Sequence, residues 1–337
     1  MTGTGPAVSV LVAARDAAAT LPRMLRSVQR QTLTDWQCVV VDDGSRDASA
    51  GIVAETAARD RRVELVAGDG SGVVAARNLG LAACRAPRVA LLDADDVAHP
   101  RRLEKQAAAL DARAEWLAVA CHVRYVPRAA LGDGMRAYES WLNSMRAPED
   151  LHRERFIEMP AGHPALMLRT DALRAVGGWR ERGWPEDWDL LLRLLAGGDV
   201  GVVPERLLAW RVRAESLSRT SPAYTQEAFN RCRAAFLAEQ YLAGEESYAL
   251  WGYGGTGRAL RRALAEHGKR LERVVELHPG RLGQRIHGAP VVPPEALADT
   301  RPRRLVVSVA GAHPRAQVRA ALATMGYVEQ RDFICAA

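Results

Sequence analysis

Val89-Ala90-Leu91-Leu92-Asp93-Ala94-Asp95-Asp96 reads as a buried strand that runs straight into an acidic turn. Val39-Val40-Val41-Asp42-Asp43 repeats the arrangement upstream, and Glu186-Asp187 forms a third acidic cluster beside Trp184 and Trp188. Burying unpaired carboxylates is costly, so acids at the ends of apolar runs face solvent or a ligand rather than serve packing. In open α/β sheets the rim at the carboxyl ends of the strands is where ligands bind. A divalent metal, an anionic ligand and a general base would together account for all three clusters.

Outward from these strands, the first half of the chain alternates strand and helix. Strands are predicted over 8–13, 36–41, 63–67 and 88–92, with helices over 18–31, 48–59 and 73–83 between them. That alternation predicts an α/β fold with a mainly parallel sheet covered by helices. A helix over 101–112 and a strand over 117–123 follow. The stretch 127–160, rich in Met, Trp and Arg, reads as an irregular, mobile segment on the acceptor side. Beyond it come a strand over 166–169, a helix over 171–176, and a helix over 187–195 whose first-turn acids suit the helix dipole. A long helix is expected over 222–243.

The pattern then restarts. A strand over 248–251 enters Gly252-Tyr253-Gly254-Gly255-Thr256-Gly257, followed by a helix to 267. Strands over 271–277, 305–309 and 332–335, with helices over 295–298 and 314–325, complete a small α/β unit. The expected domains are therefore 1–245 and 246–337.

Composition agrees with two domains: 337 residues are long for one, and 48% apolar residues can build a sizeable core. The net charge of +6 is almost entirely arginine, since Lys105 and Lys269 are the only lysines. Those arginines are spread out with no aromatic-basic stripe, so nucleic acid is not an expected partner. No run of about eighteen apolar residues appears, so no transmembrane segment is expected. The N-terminus lacks the pattern of a signal peptide, and the expected location is cytoplasmic. The five cysteines, Cys38, Cys84, Cys121, Cys232 and Cys335, lack Cys-x-x-Cys spacing. Neither disulfides nor a thiolate zinc site is expected.

Alternate residues of an extended chain point the same way, so Asp93 and Asp95 can face one crevice together. Mg²⁺ and Mn²⁺ commonly bind through one or two carboxylates plus substrate phosphates. Around this pair, ordered blocks accumulate: Val8-Ser9-Val10-Leu11-Val12, Val41-Asp42-Asp43-Gly44-Ser45-Arg46-Asp47, and Ala76-Arg77-Asn78-Leu79-Gly80. Then come Leu92-Asp93-Ala94-Asp95-Asp96 with Arg102-Leu103-Glu104 and Gln106, Val176-Gly177-Gly178-Trp179, and Glu186-Asp187-Trp188-Asp189-Leu190. Over 8–220 the chain resembles an inverting glycosyltransferase of family 2 with the GT-A fold. The resemblance implies that Asp43 accepts a hydrogen bond from the nucleobase, usually uracil. Asp93 would sit at the ribose and in the metal shell, and Asp95 would ligate Mn²⁺ or Mg²⁺ directly. Arg77 would steady the nucleotide-sugar or the acidic pocket.

Asp187 is the expected general base: inverting displacement needs a carboxylate within reach of the acceptor hydroxyl. Trp184 and Trp188 could raise its pKa by desolvation or stack on a sugar face, and His163 would lie in the acceptor pocket. The chain departs from the family pattern twice. Arg15-Asp16 stands where relatives carry an aromatic and an Asn, and Arg15 could stack on the base. In Trp210-Arg211-Val212-Arg213, Arg213 replaces a possible metal-binding His, and it could pair with the diphosphate and lessen dependence on metal.

The glycine run at 252–257 has the spacing and strand-to-helix context of a dinucleotide fingerprint, with Glu276 where a ribose-binding acid would sit. Gly252, Gly254, Gly257 and Glu276 are thus candidate ligand residues for NAD(P). The unit nevertheless lacks a second mononucleotide-binding half. It resembles the small Rossmann-like domains attached to some sugar transferases and acyltransferases, and a structural, dimerising or acceptor-presenting role is favoured over a cofactor. A homodimer is one of these readings. Two other functions compete: a non-catalytic nucleotide-sugar binding protein, and a dinucleotide-dependent oxidoreductase, which leaves the first domain unexplained. The acceptor stays open between a small molecule, a peptide and a lipid-linked sugar.

Overall fold

A computed structural model describes residues 5–213 and 216–337. The chain divides into two compact units. The first takes the described residues up to Leu151, with Pro160–Arg182 and Glu186–Arg219; the second takes His152–Met159, Gly183–Pro185 and Thr220–Ala337.

The first unit opens with β1 (Val8–Ala14), α1 (Leu21–Gln29), β2 (Trp36–Asp42), α2 (Ser49–Arg59), β3 (Val63–Ala67) and α3 (Val73–Ala83). There follow β4 (Arg88–Leu91), β5 (Val97–Ala98), α4 (Arg102–Ala112), β6 (Trp116–Val126), α5 (Asp133–Leu142) and α6 (Pro148–Glu154). Next come β7 (Leu166–Arg169), α7 (Thr170–Ala175), α8 (Glu186–Gly197), β8 (Asp199–Arg211) and α9 (Leu217–Thr220). Eight strands form one mixed sheet in the order β3-β2-β1-β4-β7-β6-β8-β5.

The parallel register of β1 against β2 pairs Ala14 with Asp42, and β1 against β4 pairs Leu11 with Leu91. Three strands therefore end at one rim, so Arg15, Asp43 and the 93–96 turn emerge along a single edge. The rim is fixed from behind by apolar packing. Val10, Val12, Cys38, Val40, Ala90 and Leu92 bury against Leu21, Met24, Leu25 and Val28 of α1 and Leu103 and Leu110 of α4. A polar bolt passes through this core. Arg102 is 1% exposed and donates to the carbonyls of Leu91 (2.9 Å) and Leu166 (3.3 Å) and to Gln106 Oε1 (2.9 Å). Gln106 in turn donates to the carbonyls of Val119 and Ala165. The pair thereby satisfies carbonyls on and beside β4, β6 and β7, directly behind the acidic turn.

Two expectations are corrected. The segment 127–160 is not irregular: it contains α5 and α6, and its Leu142, Met145, Leu151 and Phe156 are all buried. The thirteen-residue strand β8 had no counterpart in the sequence reading, because Gly201 and Pro204 break the apolar run. The strand absorbs them at an irregularity: its pairing with β6 jumps from Cys121↔Val203 to His122↔Arg206, leaving Pro204 outside the ladder. A proline without an N–H is tolerated only at such breaks or edges.

In the second unit, α10 (Gln226–Glu239) starts at Thr225, whose hydroxyl accepts from Ala228 N. The helix is shorter than expected because Pro222–Tyr224 forms a separate 3-10 turn ahead of this cap. After it come β9 (Ser247–Trp251), α11 (Gly255–Glu266), β10 (Arg270–Val275), β11 (Arg285–Ile286), β12 (Ala289–Val292), α12 (Ala296–Asp299), β13 (Leu305–Val307), α13 (Ala312–Thr324) and β14 (Phe333–Cys335). The sheet order is β11-β12-β10-β9-β13-β14, parallel except for β11. Its core joins Ala249, Trp251, Leu305 and Val307 to Val318 and Leu322 of α13. The five cysteines are buried thiols. Among the described residues no helix is long and apolar enough to cross a membrane.

Candidate active site

At the end of β2, Asp43 turns into the rim and is 4% exposed. Its Oδ2 accepts from Gly72 N at 3.1 Å, and Arg15 Nη1 lies 3.8 Å from the same oxygen. Gly44, at φ +70°, allows the loop to pass against Gly70, whose Cα would lie 3.3 Å from a Cβ on residue 44. Arg15 and Asp43 thus sit together, the arginine half-exposed beside a buried carboxylate. Asp16 completes the bend at φ +49°, its Oδ1 accepting from Arg46 N at 2.7 Å.

Next along the rim, α3 carries Arg77, only 11% exposed in its side chain. Its Nη1 meets Glu186 Oε1 at 2.7 Å and its Nη2 lies 3.7 Å from Asp93 Oδ1. One guanidinium therefore holds the acidic turn after β4 and the first turn of α8 in the same crevice. The neighbouring Asn78 locks the contact. Its side-chain amide donates to Trp179 O (2.9 Å) and accepts from Trp179 N (3.0 Å). Gly178 permits this approach: it has φ +60°, and a Cβ there would lie 2.3 Å from Asn78 Oδ1. The blocks 76–80 and 176–179 interlock for this reason.

The acidic turn is strained electrostatically. Burial pushes the Asp93 carboxyl up to about 6; Arg77 opposes the shift, while Asp95 and Glu186 add to it. Asp96 is wholly buried, and its carboxyl is raised well above the usual range, first by burial and then by Asp93 and Asp95. Its Oδ1 accepts from Arg211 N at 2.7 Å, whereas its Oδ2 has no partner among the described residues. Asp95 Oδ2 pairs with Arg213 Nε at 2.7 Å. Crowded carboxylates with an orphaned oxygen suit a cation. Among the described residues no three or more His, Cys, Asp or Glu side chains are grouped to cage a metal ion. Asp93 and Asp95 would therefore hold one only with oxygens from a bound diphosphate.

Asp187 lies in the first turn of α8, next to Glu186, and is partly exposed; its Oδ1 accepts from Trp188 N at 2.8 Å. The expected acceptor-side aromatics separate. Trp188 is 0% exposed and packs in the interior, so its ring offers no open face to a sugar here. Trp184 groups with the second unit and is half-buried. His163 is 4% exposed, its Nε2 accepting from Trp179 Nε1 at 3.0 Å. Burial, reinforced by Arg77, holds this imidazole well below its ordinary pKa. The ring is therefore neutral with its hydrogen on Nδ1, an atom without a partner among the described residues. Sequence reasoning passed over Trp179, Asn78 and Arg211 as site-builders. For Asn78 and Trp179 the signal was available in the blocks 76–80 and 176–179, whose wide separation conceals that they touch.

In the second unit, Gly252 has φ +93° and Gly257 packs tightly: a Cβ on residue 257 would lie 2.1 Å from Gly252 O. A Cβ on residue 254 or 255 would meet nothing within 4 Å. Glu276 pairs with Arg281 at 3.0 Å and accepts from Leu277 N at 2.9 Å, and Arg281 also donates to Tyr253 O.

The family model described as Glycosyl transferase family 2 matches residues 9–177. The putative glycosyltransferase EpsE of Bacillus subtilis (strain 168) is 28% identical over 235 residues, which cover 66% of this chain and 79% of EpsE. The putative glycosyltransferase EpsH of the same organism is 36% identical over 100 residues, 30% of this chain and 29% of EpsH. Solved structures share the fold. S. aureus TarS 1-349 in complex with UDP-GlcNAc superposes with a TM-score of 0.57 at 19% identity, over 77% of this chain and 72% of that one. The mannosyltransferase PcManGT from Pyrobaculum calidifontis, in complex with GDP-Man and Mn²⁺, gives 0.51 at 16% identity, over 96% and 81%.

Proposed function

The chain belongs to glycosyl transferase family 2, and from that premise we propose that it moves a sugar from a nucleoside-diphosphate donor, a UDP-sugar, to an acceptor hydroxyl with inversion. Asp43 and Arg15 receive the base, Asp93 the ribose, and Arg77 and Arg213 the negative charge of the donor. Asp187 takes the proton from the acceptor hydroxyl as it attacks from the face opposite the leaving group. Asp95 and Asp93 would hold Mn²⁺ or Mg²⁺ between them and the diphosphate. Such an ion supplies Lewis-acid stabilisation of the charge that develops on the leaving group.

The observation that carries this reading is the shared guanidinium of Arg77. By contacting both Glu186 and Asp93 it brings the donor-side acids and the start of α8, with Asp187, to one crevice. Asp187, one residue from that bridge, is the base this reading assigns. The UDP-GlcNAc and GDP-Man complexes of the structural neighbours support a nucleotide-sugar donor, and the Mn²⁺ of one supports a divalent ion. The acceptor is a small molecule, a peptide or a lipid-linked sugar.

Thermal-shift titration with nucleotide-sugars, with and without Mn²⁺, tests the reading. A UDP-sugar should raise the melting temperature more in the presence of Mn²⁺. No shift with any nucleotide-sugar would overturn it. Including NAD⁺ and NADPH tests the second unit in the same experiment.

A further inference from the structure

We propose that Arg213 is a built-in counter-cation at Asp95 that a divalent ion must displace, so that metal loads onto this enzyme together with the donor and not before it. The inference rests on the metal-assisted reading of the site and adds an order of binding to it.

The placement of Arg213 is not incidental. The end of β8 is stapled twice to the acidic turn: Arg211 N donates to Asp96 Oδ1 at 2.7 Å, and Arg211 Nε donates to Asp95 O at 3.2 Å. The short strand β5, immediately after the turn, pairs antiparallel with the same strand through Val97↔Ala209 and Ala98↔Leu208. With Arg211 fixed, the residue two positions on returns to the same side of an extended chain. Arg213 Nε there reaches Asp95 Oδ2 at 2.7 Å, with Asp95 12% and Arg213 43% exposed in their side chains.

Charge then decides the order. Asp93 lies 3.7 Å from a guanidinium whose nearer partner, at 2.7 Å, is Glu186. Asp95 has a close ion pair with Arg213. A divalent ion ligated by Asp95 would stand within a few ångströms of the guanidinium, where two positive charges repel strongly in a partly desolvated crevice. No cluster of three or more ligating side chains among the described residues offsets that repulsion. A diphosphate changes the balance. It brings the missing oxygens for the ion and an anionic surface for the guanidinium, whose Nη groups add donors to the Nε bound to Asp95. Arg213 passes from Asp95 to the diphosphate as the ion takes its place.

The test is Mn²⁺ binding to the full chain, followed by electron paramagnetic resonance of the free ion, with and without UDP. Without nucleotide, Arg213→Gln should bind Mn²⁺ about twofold to fivefold more tightly than the natural chain, the range expected for releasing a partly exposed ion pair. Arg213→Lys, which keeps the charge, should stay near the natural chain, and Asp95→Asn should lose the ion in every condition. UDP should strengthen Mn²⁺ binding by a larger factor in the natural chain than in Arg213→Gln. Equal Mn²⁺ affinities of the natural chain and Arg213→Gln without nucleotide, with Asp95→Asn still defective, would overturn the proposal and leave the metal-assisted reading standing. Failure of every variant to bind Mn²⁺ even with UDP would overturn both. Arg213 is half-exposed, and circular dichroism of each variant confirms that folding is unchanged.

Discussion

Arg77 and Glu186 lie 109 positions apart in sequence and meet at 2.7 Å in the floor of the crevice, both nearly buried. The contact ties α3 to the first turn of α8 and leaves the other edge of the same guanidinium facing Asp93. Arg77→Met would take the guanidinium away from a buried carboxylate, and breaking such a pair from one side costs about 3 kcal/mol or more. The first unit should melt earlier and nucleotide binding should fall. In Arg77→Met/Glu186→Gln the melting temperature should recover in part while nucleotide binding stays lost. Recovery of both would show that Arg77 serves packing alone.

Donor binding should depend on pH through Asp93. Its folded-state carboxyl is pushed up to about 6, above the usual carboxylate value, so it takes up a proton as pH falls through about 6. Contact with a metal ion requires the ionised form, and affinity for UDP with Mn²⁺ should drop below that pH. The sign for stability is opposite: because the folded pKa is raised, this group's contribution to stability declines as pH rises from about 4 to 6. Calorimetric titration across pH 5–8 should show the affinity step in the natural chain and a flatter profile in Asp93→Asn.

His163 predicts a separate acid sensitivity. Its folded pKa is depressed well below 6.5, so the unfolded chain binds a proton below that pH that the native fold refuses. Stability should therefore fall as pH drops below about 6.5, by up to about 1.4 kcal/mol per pH unit. His163→Gln keeps an acceptor for Trp179 Nε1 and removes the titration. Denaturation midpoints of the first unit at pH 5 and 7 should differ less in that variant than in the natural chain.

Two glycines of one turn should behave differently. Gly257→Ala forces a Cβ to within 2.1 Å of the backbone oxygen of Gly252, which cannot rotate away. The second unit should lose about 1–3 kcal/mol. Gly254→Ala meets nothing within 4 Å at a φ of −74° and should leave the melting temperature unchanged.

Strands β1, β2 and β4 were legible as mainly apolar runs, β2 and β4 each leading into acids and β1 into Arg15, and the sheet register then aligns these charged ends at one rim. Strand β8 was not, because Pro204 is accommodated by a slip in its pairing with β6, and such a slip leaves no local signal. The helix α5 escaped detection although Met135, Tyr138, Trp141 and Leu142 recur at helical spacing and pack on the core, because Gly132 and Gly134 at its start read as loop. Among the candidate side chains, Asp43, Arg77, Asp93 and Asp187 were readable as residues. What they touch was not: the pairing of Arg77 with Glu186 and of Arg213 with Asp95 depends on segments brought together only by the fold. Trp188 looked like a sugar platform beside Asp187, yet helical geometry turns it inward to the core.

Asp187→Asn tests the central claim most directly, by comparing donor binding and sugar transfer in one preparation. The substitution keeps the shape of the side chain, including an oxygen for Trp188 N, and removes the ability to take a proton. Affinity for the UDP-sugar should be unchanged within about twofold, while transfer falls by at least about 100-fold, the lower range for losing a general base. Turnover equal to that of the natural chain would contradict the account.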